Sequence, residues 1–297
     1  MTHRIVCVGS IVQDEVYHVE TLPAAGIKID ASHVEYRFGG PAATAAVAIA
    51  RLDGDVAYWG RVGADAAGQA ALDALRAQGV DGAGVAVIAG GRTRRAIILV
   101  DRRGERCIVT HRMGLPDEAR WLPDHPLDGC AVVLADSRWP VGAEAVFDRA
   151  HGKGIITVFD ADGGPRAETE RLIARADHII FSAEGLRDCA GEGRPAEQLS
   201  TYATTTSKVV AVTRGAAGSL WWHDGHVVSI PAFQVTVADT TGCGDVFHGA
   251  YALALSEGAR PLDAARFASA AAAIKAMRGR GWDGMPDRRS VAELLAS

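Results

Sequence analysis

The run Asp239-Thr240-Thr241-Gly242-Cys243-Gly244-Asp245 places two glycines around one small residue and a carboxylate directly after them. Such glycines let the backbone turn tightly, so that several N–H groups point one way. The apolar, alanine-rich stretch from Val246 to Leu255 reads as a helix, whose N-terminus adds the positive end of its dipole to those amides. That corner attracts phosphate oxygens. A carboxylate at its mouth repels an anion, so Asp245 makes sense as the acceptor of a hydroxyl proton while the backbone holds charge developing on a transferring phosphoryl group. The same residues also describe a plain helix start, with Asp245 complementing the dipole. Cys243 reads as the small residue filling the turn; as a nucleophile it has no base near it in sequence. A second glycine corner, Gly39-Gly40-Pro41-Ala42-Ala43-Thr44, opens a helix ending at Leu52. Pro41 suits a first helical turn, and the two glycines admit either a ligand or a closely packed sheet.

Both corners need a frame. Ile5 to Gly9, Val56 to Val62, Ala131 to Ala135, Ile155 to Phe159, His178 to Phe181 and Val209 to Thr213 read as buried parallel strands. Ala42 to Leu52, Ala66 to Gln78, Gly142 to Lys153 and Glu168 to Arg175 carry apolar residues at helical spacing between them. This alternation predicts an α/β fold, a mainly parallel sheet with helices on both faces and ligands at the carboxyl ends of its strands. Two regions break the pattern. Glu15 to Val19 and His33 to Phe38 look like exposed strands, and Arg95 to Val100 with Arg106 to Thr110 reads as a hairpin. The expected organisation is therefore one domain over 1–297, with a small β-sheet lid from about 12–38 and 95–112. Ser219 to Trp222 and Val227 to Ile230 flank Asp224-Gly225, a further hairpin signal.

A chain of 297 residues, 48% hydrophobic and 23% charged, has the composition of an ordinary globular protein. Its formal net charge of −5 argues against nucleic acid or an anionic membrane as partner, so positive charge for an anionic ligand must be local. No apolar run reaches the length of a spanning helix, and the N-terminal apolar run meets Asp14 too soon for a signal-peptide core. Five scattered cysteines without a Cys-x-x-Cys pair suit a reducing cytoplasm rather than a zinc cage or disulfide framework.

Gly39-Gly40 before a small-residue helix, Gly60-Arg61-Val62-Gly63-x-Asp65-x-x-Gly68, and the Asp239 to Asp245 run resemble, in order and spacing, the ribokinase/PfkB sugar kinases. The resemblance extends from about Ile5 to Pro286. It implies a three-layer α/β/α sandwich with a β-sheet lid, ATP and Mg²⁺ as cofactors, and phosphorylation of a sugar hydroxyl. It makes Asp245 the general base and the amides of Gly242, Cys243 and Gly244 the anion hole, and it sets Asp14 and Gly40, beside Gly39 and Thr44, at the sugar. Thr213-Arg214-Gly215-x-x-Gly218 resembles the family's loop near the ATP phosphates, or is a glycine turn into the next hairpin. Ala268 and Ala272 resemble adenine-pocket positions, although small residues there equally suit helix packing. The segment Gly279 to Gly284, with Trp282 and Asp283, looks like the loop closing that pocket. In many relatives the backbone near Asp239, Thr241 and this loop holds a monovalent cation, K⁺ being the expected ion. Two departures stand out. Ser182-Ala183-Glu184-Gly185 replaces the Asn-x-x-Glu motif that organises Mg²⁺ through water, leaving Glu184 as a shifted candidate, and Thr44 stands where ribokinases carry Asn.

In detail, the residues around Gly40, Asp245 and Leu134-Ala135-Asp136-Ser137-Arg138-Trp139 look most like the bacterial 6-deoxy-6-sulfofructose kinases, with ketohexokinases further off. In that branch a lid lysine and an arginine after a central strand clamp the sulfonate, and Lys28 and Arg138 stand in those places. A guanidinium offers a fixed fork of donors to an oxyanion; either residue also reads as a surface charge. Thr110 occupies the place of the branch's sulfonate-binding asparagine, with His111 and Arg112 beside it. A kinase of a neutral ketose, ribose or a nucleoside, and a non-catalytic nucleotide- or sugar-binding regulator, are the rival readings. An exposed lid sheet wants a partner for its edge or open face, so a homodimer through the lid is expected.

Overall fold

The computed structural model describes residues 4–111, 114–124 and 127–297; Arg112 lies outside them. Strand β1 (Arg4–Gly9) is followed by β2 (Val12–His18) and β3 (His33–Gly39). Then come α1 (Pro41–Arg51), β4 (Val56–Gly63), α2 (Ala66–Ala77), β5 (Ala86–Ile88), β6 (Arg95–Val100) and β7 (Arg106–His111). From β8 (Cys130–Asp136) the alternation is regular through α3 (Pro140–Ala150), β9 (Ile156–Ala161), α4 (Arg166–Arg175) and β10 (His178–Phe181). It continues with α5 (Ala183–Ala190), α6 (Pro195–Ala203) and β11 (Val209–Thr213). The hairpin β12 (Ser219–His223) and β13 (His226–Ile230) precedes α7 (Cys243–Ser256), α8 (Pro261–Arg278) and α9 (Arg288–Ala296).

Among the described residues the main sheet runs β13-β12-β11-β10-β9-β8-β1-β4-β5, antiparallel only at the β12 and β13 end. Alternate residues of each strand enter opposite cores, as a pleat of period two requires. Ile5, Cys7, Tyr58, Leu134 and Ile180 pack with α1, α7 and α8. Val8, Trp59, Ala135, Phe159 and Phe181 pack with α3, α4 and α6 on the other face. The result is an α/β/α sandwich. Asp224 (φ 47°) and Gly225 (φ 79°) both take left-handed conformations in the β12–β13 turn, as a two-residue hairpin demands.

The second sheet runs β3-β2-β6-β7. Its register sets Tyr36, Glu15, Ile97 and Val109 in one cross-strand row, and Arg37, Asp14, Ala96 and Thr110 in the next. Neighbouring rows face opposite ways. Tyr36, Ile97 and Val109 are exposed, whereas Ala96 is buried, so Asp14 and Thr110 share the inward face. Helices α5, α6 and α9 and strand β5 were not expected; each is only three to nine residues long.

Candidate active site

Gly242 holds φ 77° and caps α7, so the chain turns sharply and the first amides of the helix face outward. Of the three expected amides, that of Cys243 is occupied by the Thr240 carbonyl at 3.2 Å. Those of Gly242 and Gly244 donate to no acceptor among the described residues. A Cβ on Gly244 would meet nothing within 4 Å, which leaves the cradle open above that residue. The Cys243 thiol lies near the Asp239 carbonyl, and burial raises it to about 11. It is a protonated filler of the turn, not an activated nucleophile.

Asp245 sits in the first turn of α7, recessed but with partial solvent access. Burial, then the charge of Asp160, lifts its carboxyl to about 7, against the lowering pull of His248. Both neighbours are buried. The His248 Nδ1 donates to the Gly244 carbonyl at 2.8 Å, which ties the turn to the next one in the helix. Its Nε2 lies 3.5 Å from Asp160 Oδ1, an oxygen with no hydrogen-bond partner. Burial, with Asp162 and Asp136 nearby, holds the Asp160 carboxyl well above the usual range. A carboxyl lifted to about 7 keeps a proton-accepting fraction at neutral pH.

Asp14, from β2, makes no hydrogen bond among the described residues, and burial raises its carboxyl to about 6 against the pull of Arg37. Gly39 is its neighbour: a Cβ there would stand 2.9 Å from Asp14 Oδ2. Gly40, at φ 98°, brings α1 so close to the β1–β2 turn that a Cβ would stand 2.4 Å from the Ser10 carbonyl. Asp136, quoted from sequence without a role, clamps this junction. Its Oδ2 accepts the amides of Ser10 and Ala42, each at 3.0 Å, and its Oδ1 accepts that of Arg138 at 2.7 Å. One buried carboxylate thus aligns β2, the start of α1 and the Arg138 loop.

The Arg138 guanidinium donates to the Asp162 carbonyl at 3.2 Å and pairs with its carboxylate at 3.6 Å. Arg94 donates to the Arg138 carbonyl at 2.9 Å, and buried Arg61 stacks on Trp139 at 4.1 Å. Arg94 thus stands beside Arg138, while the Arg61 guanidinium is engaged by the Pro116 carbonyl and the Asp117 carboxylate. Lys28 is exposed in the β2–β3 loop and makes no hydrogen bond or ion pair among the described residues. Thr110 and His111 are exposed on β7.

Several expectations need correction. Thr44 does not stand open to a sugar: it is buried beside Gly242, and its Oγ1 accepts the Trp282 indole at 3.2 Å. Trp282 also meets Phe38 at 6.0 Å, so the Gly279–Gly284 segment turns its indole toward α1 and β3. A cavity of about 370 Å³ is lined by Thr213, Gly215, Gly218, Gly244, Phe247 and Ala272, among others. Ser269, Ala272, Ala273 and Ala276 line it from one face of α8. Ala268 does not; it is fully buried in the core. The Arg214 guanidinium folds back on the Ala217 carbonyl at 2.8 Å, away from that cavity. Glu184 is exposed in the first turn of α5 and has no partner among the described residues.

Among the described residues no group of three acidic, histidine or cysteine side chains could hold a metal ion. Mg²⁺ fits here only as an ion carried on nucleotide phosphates, which is its usual habit. The monovalent-cation place fits less well. The Asp239 Oδ1 accepts the Arg106 guanidinium at 2.8 Å, the Thr241 Oγ1 accepts it at 2.6 Å, and the Thr241 carbonyl accepts the Lys275 ammonium at 3.1 Å. Burial alone would raise the Asp239 carboxyl, but the Thr241 amide and Arg106 hold it at about 2. Sequence spacing gave no sign of Arg106 or Lys275, because both arrive from distant elements.

Residues 2–287 match the model of the pfkB family carbohydrate kinases. The chain is 29% identical to ribokinase of Bacillus subtilis over 304 residues, covering 99% of this chain and 100% of that one. It is 29% identical to fructokinase of Vibrio alginolyticus over 234 residues, 73% of this chain and 76% of that one. The structure of Arabidopsis thaliana ribokinase complexed with ribose and ATP superposes with a TM-score of 0.89 at 25% identity, covering 100% of both chains.

Proposed function

Since the chain belongs to the pfkB family of carbohydrate kinases and is an ATP-dependent sugar kinase, we propose that its acceptor is the primary hydroxyl of a ketose with an anionic tail. The most concrete candidate is 6-deoxy-6-sulfofructose, giving its 1-phosphate. The placing of the Arg138 guanidinium just after β8, with Arg94 donating to the Arg138 carbonyl, carries this reading. A fork of guanidinium donors suits a sulfonate better than a neutral hydroxymethyl group. Arg138 exchanges its Asp162 partner for the ligand, and Lys28 reaches the same tail from the lid loop.

Asp14 and Gly40 hold the sugar, and the carboxylate of Asp245 accepts the hydroxyl proton as that oxygen bonds to the γ-phosphorus. The phosphorus–oxygen bond to ADP breaks in line. ATP supplies the phosphoryl group, and Mg²⁺ on its phosphates neutralises charge. The amides of Gly242 and Gly244 receive the negative charge that develops on the phosphoryl oxygens. Thr213, Gly215, Gly218 and Ala272 line the nucleotide's cavity. We read the chain as one kinase domain whose lid sheet pairs with a second copy through the exposed face bearing Tyr36, Ile97 and Val109. Its cysteines are free, which suits the cytoplasm.

A neutral pentose or ketohexose is the second reading, favoured by the Arg138–Asp162 pair, which already neutralises the guanidinium, and by the names of the relatives. ADP release with 6-deoxy-6-sulfofructose, fructose, fructose 6-phosphate and ribose separates the two, and no release with any of them would favour a regulator. Arg138→Met should raise KM strongly for the sulfonated sugar and little for a neutral one. An equal effect on both sugars would overturn the anionic reading.

A further inference from the structure

Lys275 stands out on a helix whose middle is a run of small residues. It follows Ala270-Ala271-Ala272-Ala273-Ile274 on α8 and ranks among the largest fully buried side chains, only 1% exposed. An ammonium carries three donors and is strongly hydrated, so sequestering one away from water requires compensation. Among the described residues no carboxylate lies within ion-pair distance of it, and the acceptor it has is the Thr241 carbonyl at 3.1 Å. That carbonyl belongs to the residue directly before Gly242. The neighbouring Ala276 carbonyl accepts the amides of Ala238 and Asp239, at 2.8 and 3.2 Å, so the end of α8 is stitched along the approach to the glycine turn. Arg106, from the lid, closes the other side on Asp239 and the Thr241 hydroxyl.

Two fixed positive charges of the chain therefore occupy the oxygens on which a monovalent cation was expected. A third positive charge between them would be repelled by both and would find the Thr241 carbonyl and the Asp239 carboxylate already engaged. Burial lowers the Lys275 ammonium from its usual range, Arg37 adding to it, and the charges of Asp239 and Asp245 pull the other way. We propose that the Lys275 ammonium is a built-in substitute for a bound monovalent cation, bracing the Thr241 carbonyl under the glycine turn so that this kinase works without potassium. It is a positioning residue, acting on phosphoryl transfer only through the turn that presents the Gly242 and Gly244 amides. Covalent attachment gives the charge an effective concentration that no dissolved ion matches.

The inference rests on the kinase reading above for its activity readout, but not for its melting readout. The full-length chain is assayed for ADP release in tetramethylammonium buffer, with and without added potassium. Thermal melting without substrates is followed in the same buffers, for the natural chain and for Lys275→Ala. The natural chain should be indifferent to potassium in both measurements. Lys275→Ala should lose activity by about tenfold, less than the 10²–10³ that follows removal of a cradle donor itself. Potassium or methylammonium should restore it and raise the melting temperature of that variant alone. Activation or stabilisation of the natural chain by potassium overturns the proposal, and so does a folded Lys275→Ala whose melting ignores both cations. Should Lys275→Ala not fold, the natural chain's response to potassium decides by itself. Should no sugar be phosphorylated, the melting arm decides and only the kinase reading fails.

Discussion

Replacing Asp245 by Asn should weaken catalysis and strengthen the fold in one step. The carboxyl is lifted from 3.8 to about 7, first by burial and then by Asp160. A carboxyl with a raised native pKa holds its proton more tightly when folded. The stability it lends is complete below about pH 4 and lost as the pH rises through about 7. About three units correspond to about 4 kcal/mol. The partial solvent access of Asp245 screens that charge, and about 2 kcal/mol is the working figure. Asn has the same shape and no charge to desolvate. Urea unfolding at about pH 8 should therefore show the variant about 2 kcal/mol more stable than the natural chain, and the gap should shrink toward about pH 5. Turnover should fall by about 10²–10⁴, the usual worth of a general base, while calorimetric titration shows ATP binding intact. A variant less stable at about pH 8, or one whose turnover stays within about tenfold, refutes the assignment of strain and role to this carboxyl.

The same carboxyl sets the pH profile: kcat/KM should rise with pH through about 7, because only the deprotonated form accepts a proton. Asp160→Asn should move that limb to lower pH by removing a neighbouring negative charge, as rate measurements across the pH range would register. Gly40→Ala meets the Ser10 carbonyl and a left-handed backbone together, and should destabilise by on the order of 3 kcal/mol in urea titration, with no loss if the corner can open. Arg106→Ala removes a half-exposed pair to Asp239, so KM for the sugar should rise by no more than about fivefold. High salt should reproduce that rise in the natural chain but not add to it in the variant.

The sheet and its coverings were legible because buried parallel strands such as Ile5–Gly9 and Val209–Thr213 are short, β-branched and bounded by turns. The glycine turn and Asp245 were legible as a candidate phosphate corner because they are contiguous in the chain. The groups that tune the corner were not. Asp160, Arg106 and Lys275 approach it from β9, β7 and α8, and nothing local distinguishes a buried lysine from one in solvent. Thr44 and Ala268 misled for a related reason. Each lies on a helix face of the right phase, but what covers that face is decided by Trp282 in one case and by the packing of α7 on α8 in the other.

Strand β1, which precedes the other described strands in chain order, lies in the interior of the main sheet between β4 and β8, under a helical layer of α1, α7 and α8. Strand β1 thus has no native neighbour on one edge until residue 130 exists, and its layer is not complete until residue 278. Such long-range pairing slows folding and leaves an apolar edge bare during synthesis. A stalled or prematurely ended chain would consequently be aggregation-prone rather than partly active, and chaperone dependence should be greatest before the last helices emerge.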